Sequence, residues 1–166
     1  MYRHLDAFSR HLATLSHYLG ALIALIMVGT LLLGVFYRYV LQDSLSWSDE
    51  VALLAASWMT FLFASSLVRR FEHVRVTLIL SMLPDSLAGL VERINVLLVL
   101  LFGLAMVWTG YGFMEFTSSQ VSPAIRYPLW VKNAALPVGG ALITIHAFVL
   151  LVRPSSLNAL RAQDNG

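Results

Sequence analysis

The chain has 166 residues, of which 58% are hydrophobic and 12% are charged, and its net charge is +2. Soluble domains carry about 25% charged residues, so this composition excludes an ordinary soluble domain and predicts an all-α integral membrane protein. The small net charge argues against a nucleic-acid-binding protein. The absence of cysteine excludes disulfides, thiolate metal sites and cysteine nucleophiles.

The chain begins with an amphipathic segment that leads into the first apolar run. Residues 1–17 place apolar side chains at helical spacing, which predicts either an interfacial helix or a helix that continues into the membrane. A frayed cytoplasmic tail is the alternative. Residues 18–39 form the first predicted span. A basic region precedes it, as in a signal peptide, but no small-residue cleavage pattern follows, so we expect a retained span.

A short polar loop leads into the second predicted span, residues 47–68. Because the loop is short, the first two spans should be neighbouring antiparallel helices. Trp47 lies where aromatic side chains anchor spans at the membrane interface. Asp49 and Glu50 fall in the first helical turn, where the helix dipole favours anions. Anchoring and dipole effects alone would account for all three residues.

One basic residue faces the acidic pair across this loop. Arg38 lies at the end of the first span, and Asp49 and Glu50 lie at the start of the second. We therefore predict an ion-pair clasp between Arg38 and the acidic pair, or a partner held between them. Independent solvation by lipid headgroups is an equally good alternative, because exposed ion pairs are weak.

A basic patch follows the second span. It contains Arg69, Arg70 and Arg75, with His73 among them. Residues 73–83 alternate like a strand, but an unpaired strand would leave its backbone groups without partners at a bilayer. We therefore predict a short amphipathic helix that lies flat at the inner interface or against a partner protein.

Two further apolar runs complete the chain, at residues 86–116 and 129–152. The first of them contains glycines that would permit close helix contact or a bend: Gly103, Gly110 and Gly112. Pro137 predicts a kink in the outer half of the fourth span. Four spans in a single membrane domain, residues 1–166, place both termini on one side.

The distribution of charge predicts topology and limits function. Most Arg and Lys residues fall at the span ends that lie on the same side of the membrane as the two termini. This bias predicts that both termini are cytoplasmic. None of the four predicted spans has Asp, Glu, Lys or Arg near its middle. Ion-coupled transporters need such groups, so we expect that the chain does not transport a solute on its own.

The five histidines raise the alternative of a haem-binding electron carrier. Only His146 lies well within a predicted span, and a bis-histidine haem needs a second ligand at matching depth. His73 would reach it if the inner helix folded back. A hydrogen bond from His146 to a neighbouring helix explains this residue more simply. Because the sequence has no catalytic spacing or metal motif, we predict no enzyme activity and no cofactor.

The segment from Arg38 to Pro84 resembles the small membrane subunit of tripartite ATP-independent periplasmic (TRAP) transporters, the DctQ-type small permease. The matching residues are Arg38-Tyr39, Ser44-Leu45-Ser46-Trp47-Ser48-Asp49-Glu50, Trp58, Arg69-Arg70, His73-Val74-Arg75-Val76 and Leu83-Pro84. The fourth span is also similar, through Ser122-Pro123, Pro128-Leu129-Trp130 and Leu136-Pro137-Val138-Gly139. Two positions depart from the family pattern: Phe63 replaces an expected glycine and Thr77 an expected acidic residue.

The resemblance implies a multi-pass subunit of the bacterial inner membrane that scaffolds a large sodium-coupled elevator permease. Its expected partners are that permease, a periplasmic solute-binding protein that docks transiently, and membrane lipids. A small membrane regulator without a transport role is a further alternative. The candidate interface or structural residues are Arg38, Trp47, Asp49, Glu50, Arg69, Arg70, His73 and Arg75.

Overall fold

The computed structural model describes residues 2–70 and 85–152, and these residues form long helices joined by loops. The helices are α1 Tyr2–Tyr39, α2 Ser48–Arg70, α3 Asp85–Phe116, α4 Trp130–Asn133 and α5 Ala135–Val152. The helix predicted at residues 73–83, with His73 and Arg75, lies outside the described residues.

Four helical stretches are long and apolar enough to cross a membrane. They are His4–Tyr39, Ser48–Arg69, Gly89–Phe116 and Trp130–Val152. Each exceeds the roughly 20 residues that a bilayer core requires. The prediction of an all-helical protein with four membrane-spanning helices is therefore confirmed, and the chain is a multi-pass membrane protein.

Helix α1 is continuous from Tyr2 and does not break before the span. Its 38 residues extend about 57 Å at 1.5 Å per residue, which exceeds the thickness of the hydrocarbon core. Ser9, Ala13 and Ser16 lie on one helical stripe and are buried. The N-terminal segment is therefore packed within the protein, and the structure has the second of the two predicted arrangements, a helix that continues into the span.

The long helices form a row rather than a closed four-cornered bundle. Helix α1 packs along α2, α2 along α5, and α5 along α3, with a smaller contact between α1 and α5. The spatial order is therefore α1, α2, α5, α3. In the most apolar stretch of each span, 11% of α1 and 12% of α3 is buried, against 39% for the span formed by α4 and α5. The two flanking helices consequently expose most of their length.

Two predicted glycines bring α3 and α5 close together. A Cβ atom at Gly103 would lie 2.6 Å from the Thr144 Oγ1 atom and 3.1 Å from the Gly140 carbonyl oxygen. At Gly110 it would lie 2.8 Å from the Pro137 Cδ atom. The predicted contact role is confirmed for these two positions. At Gly112 no described atom lies within 4 Å of the corresponding point, so the predicted contact is not made there by the described residues, and the alternative of a bend stays a prediction.

Gly20 on α1 explains how Phe63 fits at a position where the family pattern has glycine. The Phe63 ring lies 3.1 Å from the point where a Cβ atom at Gly20 would stand. It also contacts the His17 ring edge-to-face, with centroids 5.6 Å apart. Helix α1 therefore provides the space that the large side chain on α2 requires, and Phe63 forms part of the α1–α2 contact.

The fourth span is interrupted where the sequence predicts a kink. Helix α4 ends at Asn133 and α5 begins at Ala135. Pro137 has no backbone N–H group and therefore cannot donate to the Asn133 carbonyl four residues earlier. The chain resumes its helical hydrogen bonds with Val138, whose amide donates to the Ala134 carbonyl at 3.1 Å. The interruption is confined to Ala134, which keeps helical backbone angles (φ −60°, ψ −20°), so the kink itself stays a prediction.

Replacing Gly103 by alanine should destabilise the protein, whereas the same change at Gly112 should not. The new Cβ atom at position 103 would overlap Thr144, and overpacking of this kind costs about 1–3 kcal/mol. At Gly112 there is open space, and alanine favours the helix. Thermal unfolding in detergent measures both effects. Equal losses of stability would contradict the α3–α5 contact described above.

Candidate functional site at the two ends of the helix row

The described polar side chains form two networks at opposite ends of the row. We call one end the loop end, because it carries residues 40–47 and 117–129. We call the other the N-terminal end, because it carries the start of α1 and the last turns of α2 and α5. The middle of the row, between these ends, contains no Asp, Glu, Lys or Arg in the described spans. Polar chemistry is therefore concentrated where the helices end.

At the loop end, the Glu50 carboxylate receives three hydrogen bonds. Its Oε2 atom accepts from the Ser122 hydroxyl at 2.7 Å and from the Ile125 amide at 2.9 Å. Its Oε1 atom accepts from the Ala124 amide at 2.7 Å. We call these four residues the Glu50 clamp. It joins the first turn of α2 to a loop about 70 residues further along the chain.

The loop is shaped to present these donors. Its sides are joined by hydrogen bonds from the Ser122 amide to the Tyr127 carbonyl and from the Leu129 amide to the Gln120 carbonyl, both 2.9 Å. At its tip, Arg126 has a left-handed φ of 61°. The amides of Ala124 and Ile125, just before this turn, both donate to the Glu50 carboxylate.

Tyr127 lies near the Glu50 clamp, and the charge of the Glu50 carboxylate affects the pKa of its hydroxyl. Burial raises the pKa of the Tyr127 hydroxyl, and the Glu50 carboxylate raises it further. Both effects disfavour the phenolate, so Tyr127 remains neutral and available as a hydrogen-bonding group at the loop end throughout the physiological pH range.

The predicted clasp between Arg38 and the acidic pair is wrong. Within residues 2–70 and 85–152, the described ion pairs join Asp6 to Arg10 and to Arg69, and none involves Arg38. Arg38 and Asp49 are exposed. Glu50 is bound instead by three donors of the loop at residues 117–129.

Two more hydrogen bonds at the loop end join separate helices. The Trp58 indole N–H donates to the Val131 carbonyl at 3.0 Å, which ties α2 to α4. The Asn133 side-chain amide donates to the Thr117 hydroxyl at 2.7 Å, which ties α4 to the end of α3. Trp47, by contrast, is exposed beside this network. The interrupted fourth span is thus held by its neighbours on both sides.

At the N-terminal end, Arg69 is buried in an ion pair. Its Nη2 atom donates to Asp6 Oδ1, and the other oxygen of Asp6 lies 2.8 Å from the Arg10 guanidinium. The Arg69 side chain is 9% exposed, whereas that of Arg10 is 67% exposed. Arg69 therefore links α2 to α1 inside the protein. The side chain of Arg70 lies outside the described part of the structure, as do His73 and Arg75.

His146 hydrogen-bonds a neighbouring helix, as the sequence predicts. Its Nδ1 atom lies 2.8 Å from the Ser9 hydroxyl, and both side chains are fully buried. Ser9 and Asp6 are three residues apart on α1, so they occupy adjacent turns of one face. We call Asp6, Ser9, Arg69 and His146 the N-terminal cluster. It holds α1, α2 and α5 together.

The two networks are suited to fixing helices rather than to chemical catalysis. In the described residues, no three His, Cys, Asp or Glu side chains are grouped so as to hold a metal ion. Ser122, Ala124, Ile125, Asp6 and Ser9 were not predicted as site residues. Two of the clamp donors are backbone amides, which have no side-chain signature in a sequence.

Glu50→Gln should loosen the loop more than Asp49→Asn. Both variants remove one negative charge from the same helical turn, but only Glu50 accepts loop hydrogen bonds. A neutral amide accepts weaker hydrogen bonds than a carboxylate, and half of its polar atoms are donors that cannot pair with the loop N–H groups. Trypsin should therefore cut after the exposed Arg126 faster in the Glu50 variant, and its unfolding temperature should fall. Indistinguishable cleavage rates in the two variants would argue against the clamp.

Ser9→Ala and His146→Phe should be coupled in stability. The first variant removes the partner of a buried imidazole nitrogen, which costs about 1–3 kcal/mol. Once His146 is replaced, the same serine change should cost less, which a double-mutant cycle measures. Thr14→Ala on the exposed face of α1 is the matched control. Strictly additive losses would show that Ser9 and His146 do not interact.

Comparison with known proteins identifies the family. Residues 27–156 match the family model described as "Tripartite ATP-independent periplasmic transporters, DctQ component". One similar protein is the C4-dicarboxylate TRAP transporter small permease protein DctQ of Vibrio cholerae. It is 26% identical over 135 residues, which cover 67% of this chain and 58% of that protein.

Two further relatives have related names. The sialic acid TRAP transporter small permease protein SiaQ of Vibrio cholerae is 28% identical over 113 residues, covering 64% of this chain and 61% of that protein. The isethionate TRAP transporter permease protein DctMQ of Oleidesulfovibrio alaskensis is 24% identical over 101 residues, covering 60% of this chain and 16% of that protein.

The chain spans about three fifths of the length of the two small permease relatives and a much smaller part of DctMQ. The family model itself matches well over half of the chain. Its matched region contains α2, α3, α4, α5 and the Glu50 clamp. The chain therefore belongs to the DctQ component family of TRAP transporters, whose members are small permease components of a transporter and not enzymes.

Proposed function

We propose that this protein is the small transmembrane subunit of a TRAP secondary transporter in the inner membrane of a bacterium. In this proposal both termini are cytoplasmic, and the protein scaffolds a large sodium-coupled elevator permease during solute uptake. The observation that carries the proposal is the open row of helices, whose two flanking members expose most of their length. Family membership supplies the transport context.

The distribution of charge favours a structural role for this protein in the transporter. The middle of the described spans has no ionisable Asp, Glu, Lys or Arg side chain that would bind and release a coupling ion. The charged groups with buried partners instead join helices at the two ends of the row. A row of helices that is held together at both ends is suited to remain fixed while a neighbouring protein domain moves.

The shape of the row supports a large membrane partner. Trp108 on α3 is 83% exposed and Leu25 on α1 is 71% exposed, and both lie in spanning stretches. In a bilayer, apolar flanks of this kind contact either lipid or another membrane protein. The DctMQ relative, of which this chain matches only 16%, supports a partner that is much larger than the chain itself.

The loop end supports a second, transient partner. The arginine distribution predicts that this end is periplasmic. Trp47, Asp49 and Arg126 are exposed there, beside a loop held in place by the Glu50 clamp. A fixed surface of mixed charge and aromatic character is suited to brief docking of a soluble solute-binding protein.

The two alternative functions, a haem-binding electron carrier and a small membrane regulator, have no specific observation in their favour. His146 has a structural explanation in its hydrogen bond to Ser9, so its presence in a span does not require haem. Membership in a family of transporter components favours a transport role over that of an unrelated membrane regulator.

The direct test is purification of the tagged chain in a mild detergent with identification of the proteins that accompany it. We expect a much larger membrane protein in a fixed ratio to the chain, and loss of solute uptake in cells that lack the chain. Isolation of the chain as a stable single species, together with normal uptake in its absence, would contradict the proposal.

A crosslinking experiment tests the flanking helices separately. A photoreactive amino acid at Trp108 on α3 or at Leu25 on α1 should crosslink to the large permease from at least one of the two flanks. Ala147, which is fully buried within the row, is the matched control and should give no such product. Crosslinks to lipid alone from both flanks would show that neither flank docks the permease.

A further inference from the structure

Two buried polar atoms of the N-terminal cluster have no hydrogen-bond partner among the residues that the structure describes. They are Arg69 Nη1 and His146 Nε2. The Arg69 side chain is 9% exposed and His146 is fully buried. Buried polar groups in folded proteins are almost always hydrogen-bonded, if not to protein then to a bound water or ion. These two atoms therefore require an explanation.

The two side chains bind residues of α1 that lie on one face, three positions apart. Arg69 binds Asp6, and His146 binds Ser9. Residues three apart on a helix are neighbours, with Cβ atoms about 5–6 Å apart. Arg69, from α2, and His146, from α5, therefore bind neighbouring positions on one face of α1.

Arg69 Nη1 is a hydrogen-bond donor, and His146 Nε2 is one in the tautomer in which Ser9 donates to Nδ1. The guanidinium of arginine has N–H groups and no acceptor. Ser9 is fully buried, and its described side-chain hydrogen bond is the one to His146 Nδ1. Its hydroxyl proton is satisfied only if it points at Nδ1, which leaves the ring proton of a neutral imidazole on Nε2. One acceptor placed between the two side chains would satisfy both donors.

We propose that a water-sized hydrogen-bond acceptor, a water molecule or a chloride ion, binds between Arg69 Nη1 and His146 Nε2 and receives a hydrogen bond from each. It completes a continuous chain of polar contacts from Asp6 through Arg69 and His146 to Ser9. This site joins three helices at the N-terminal end of the row. It does not depend on the transporter role proposed above.

The test is a map of the purified protein in its complex, at a resolution that shows ordered water, in chloride and in bromide buffers. We expect a peak about 2.7–3.2 Å from both nitrogen atoms. Anomalous scattering at the peak in bromide would identify an anion site, and an unchanged peak without it would identify water. No peak, or a protein atom from any part of the chain bonded to either nitrogen in its place, would overturn the proposal.

A matched pair of variants sharpens this test. Arg69→Met removes the guanidinium and every donor it carries, so the peak should disappear. Arg10→Met makes the same change at the exposed partner of Asp6 and should keep it. Persistence of the peak in Arg69→Met would show that Arg69 does not hold the acceptor.

Should the Arg69 variant fail to fold, a measurement on the unmodified protein still decides the question. Nuclear magnetic resonance with ¹⁵N-labelled histidine, assigned through His146→Gln, reports which ring nitrogen carries the proton. The proposal requires the proton on Nε2, and in the water case it also requires magnetisation transfer from that proton to water. A proton on Nδ1 would overturn the proposal.

Discussion

The structure depends on one constraint, which is that polar groups inside a bilayer must find partners within the protein. The hydrocarbon core provides no water, and each unsatisfied group there costs several kcal/mol. This chain meets the constraint by keeping its ionisable groups out of the middle of its described spans. At one end Asp6 forms an ion pair with Arg69, and at the other the Glu50 carboxylate is satisfied by three loop donors.

Small residues allow the helices to pack without such groups. Between α3 and α5, Gly103 and Gly140 bring the two backbones into direct contact, and Gly20 makes room for Phe63 between α1 and α2. These contacts produce a row in which each helix packs on the next. A row of four helices exposes more lateral surface than a closed bundle of the same helices, and this surface is what a membrane partner would require.

The sequence predicted the helices better than it predicted their contacts. Four apolar runs without charge near their middle predict four spans because a bilayer tolerates few other structures, and the last one is interrupted at Ala134, three residues before Pro137. The bond from His146 to another helix was expected, but not its partner Ser9. Asp6 was not singled out, because a carboxylate in an N-terminal segment normally meets solvent.

The Glu50 clamp shows why the remaining contacts could not be predicted. The prediction paired Glu50 with the nearest basic residue, Arg38, but the carboxylate binds Ser122 and two amides instead. Its partners lie 72 to 75 residues away, and backbone donors leave no trace in the side-chain pattern. The order of the helices in the row could not be predicted either. Helices that contact both lipid and protein have apolar residues on every side, so the sequence does not show which side packs on a neighbour.

The central claim is that this chain braces a larger permease and cannot move a solute alone. Reconstitution into liposomes with an imposed sodium gradient tests it directly, by comparing this chain alone, the large permease with its solute-binding protein, and all three components together. The account predicts solute accumulation only when all three are present. Accumulation by this chain alone, or full accumulation without it, would contradict the account.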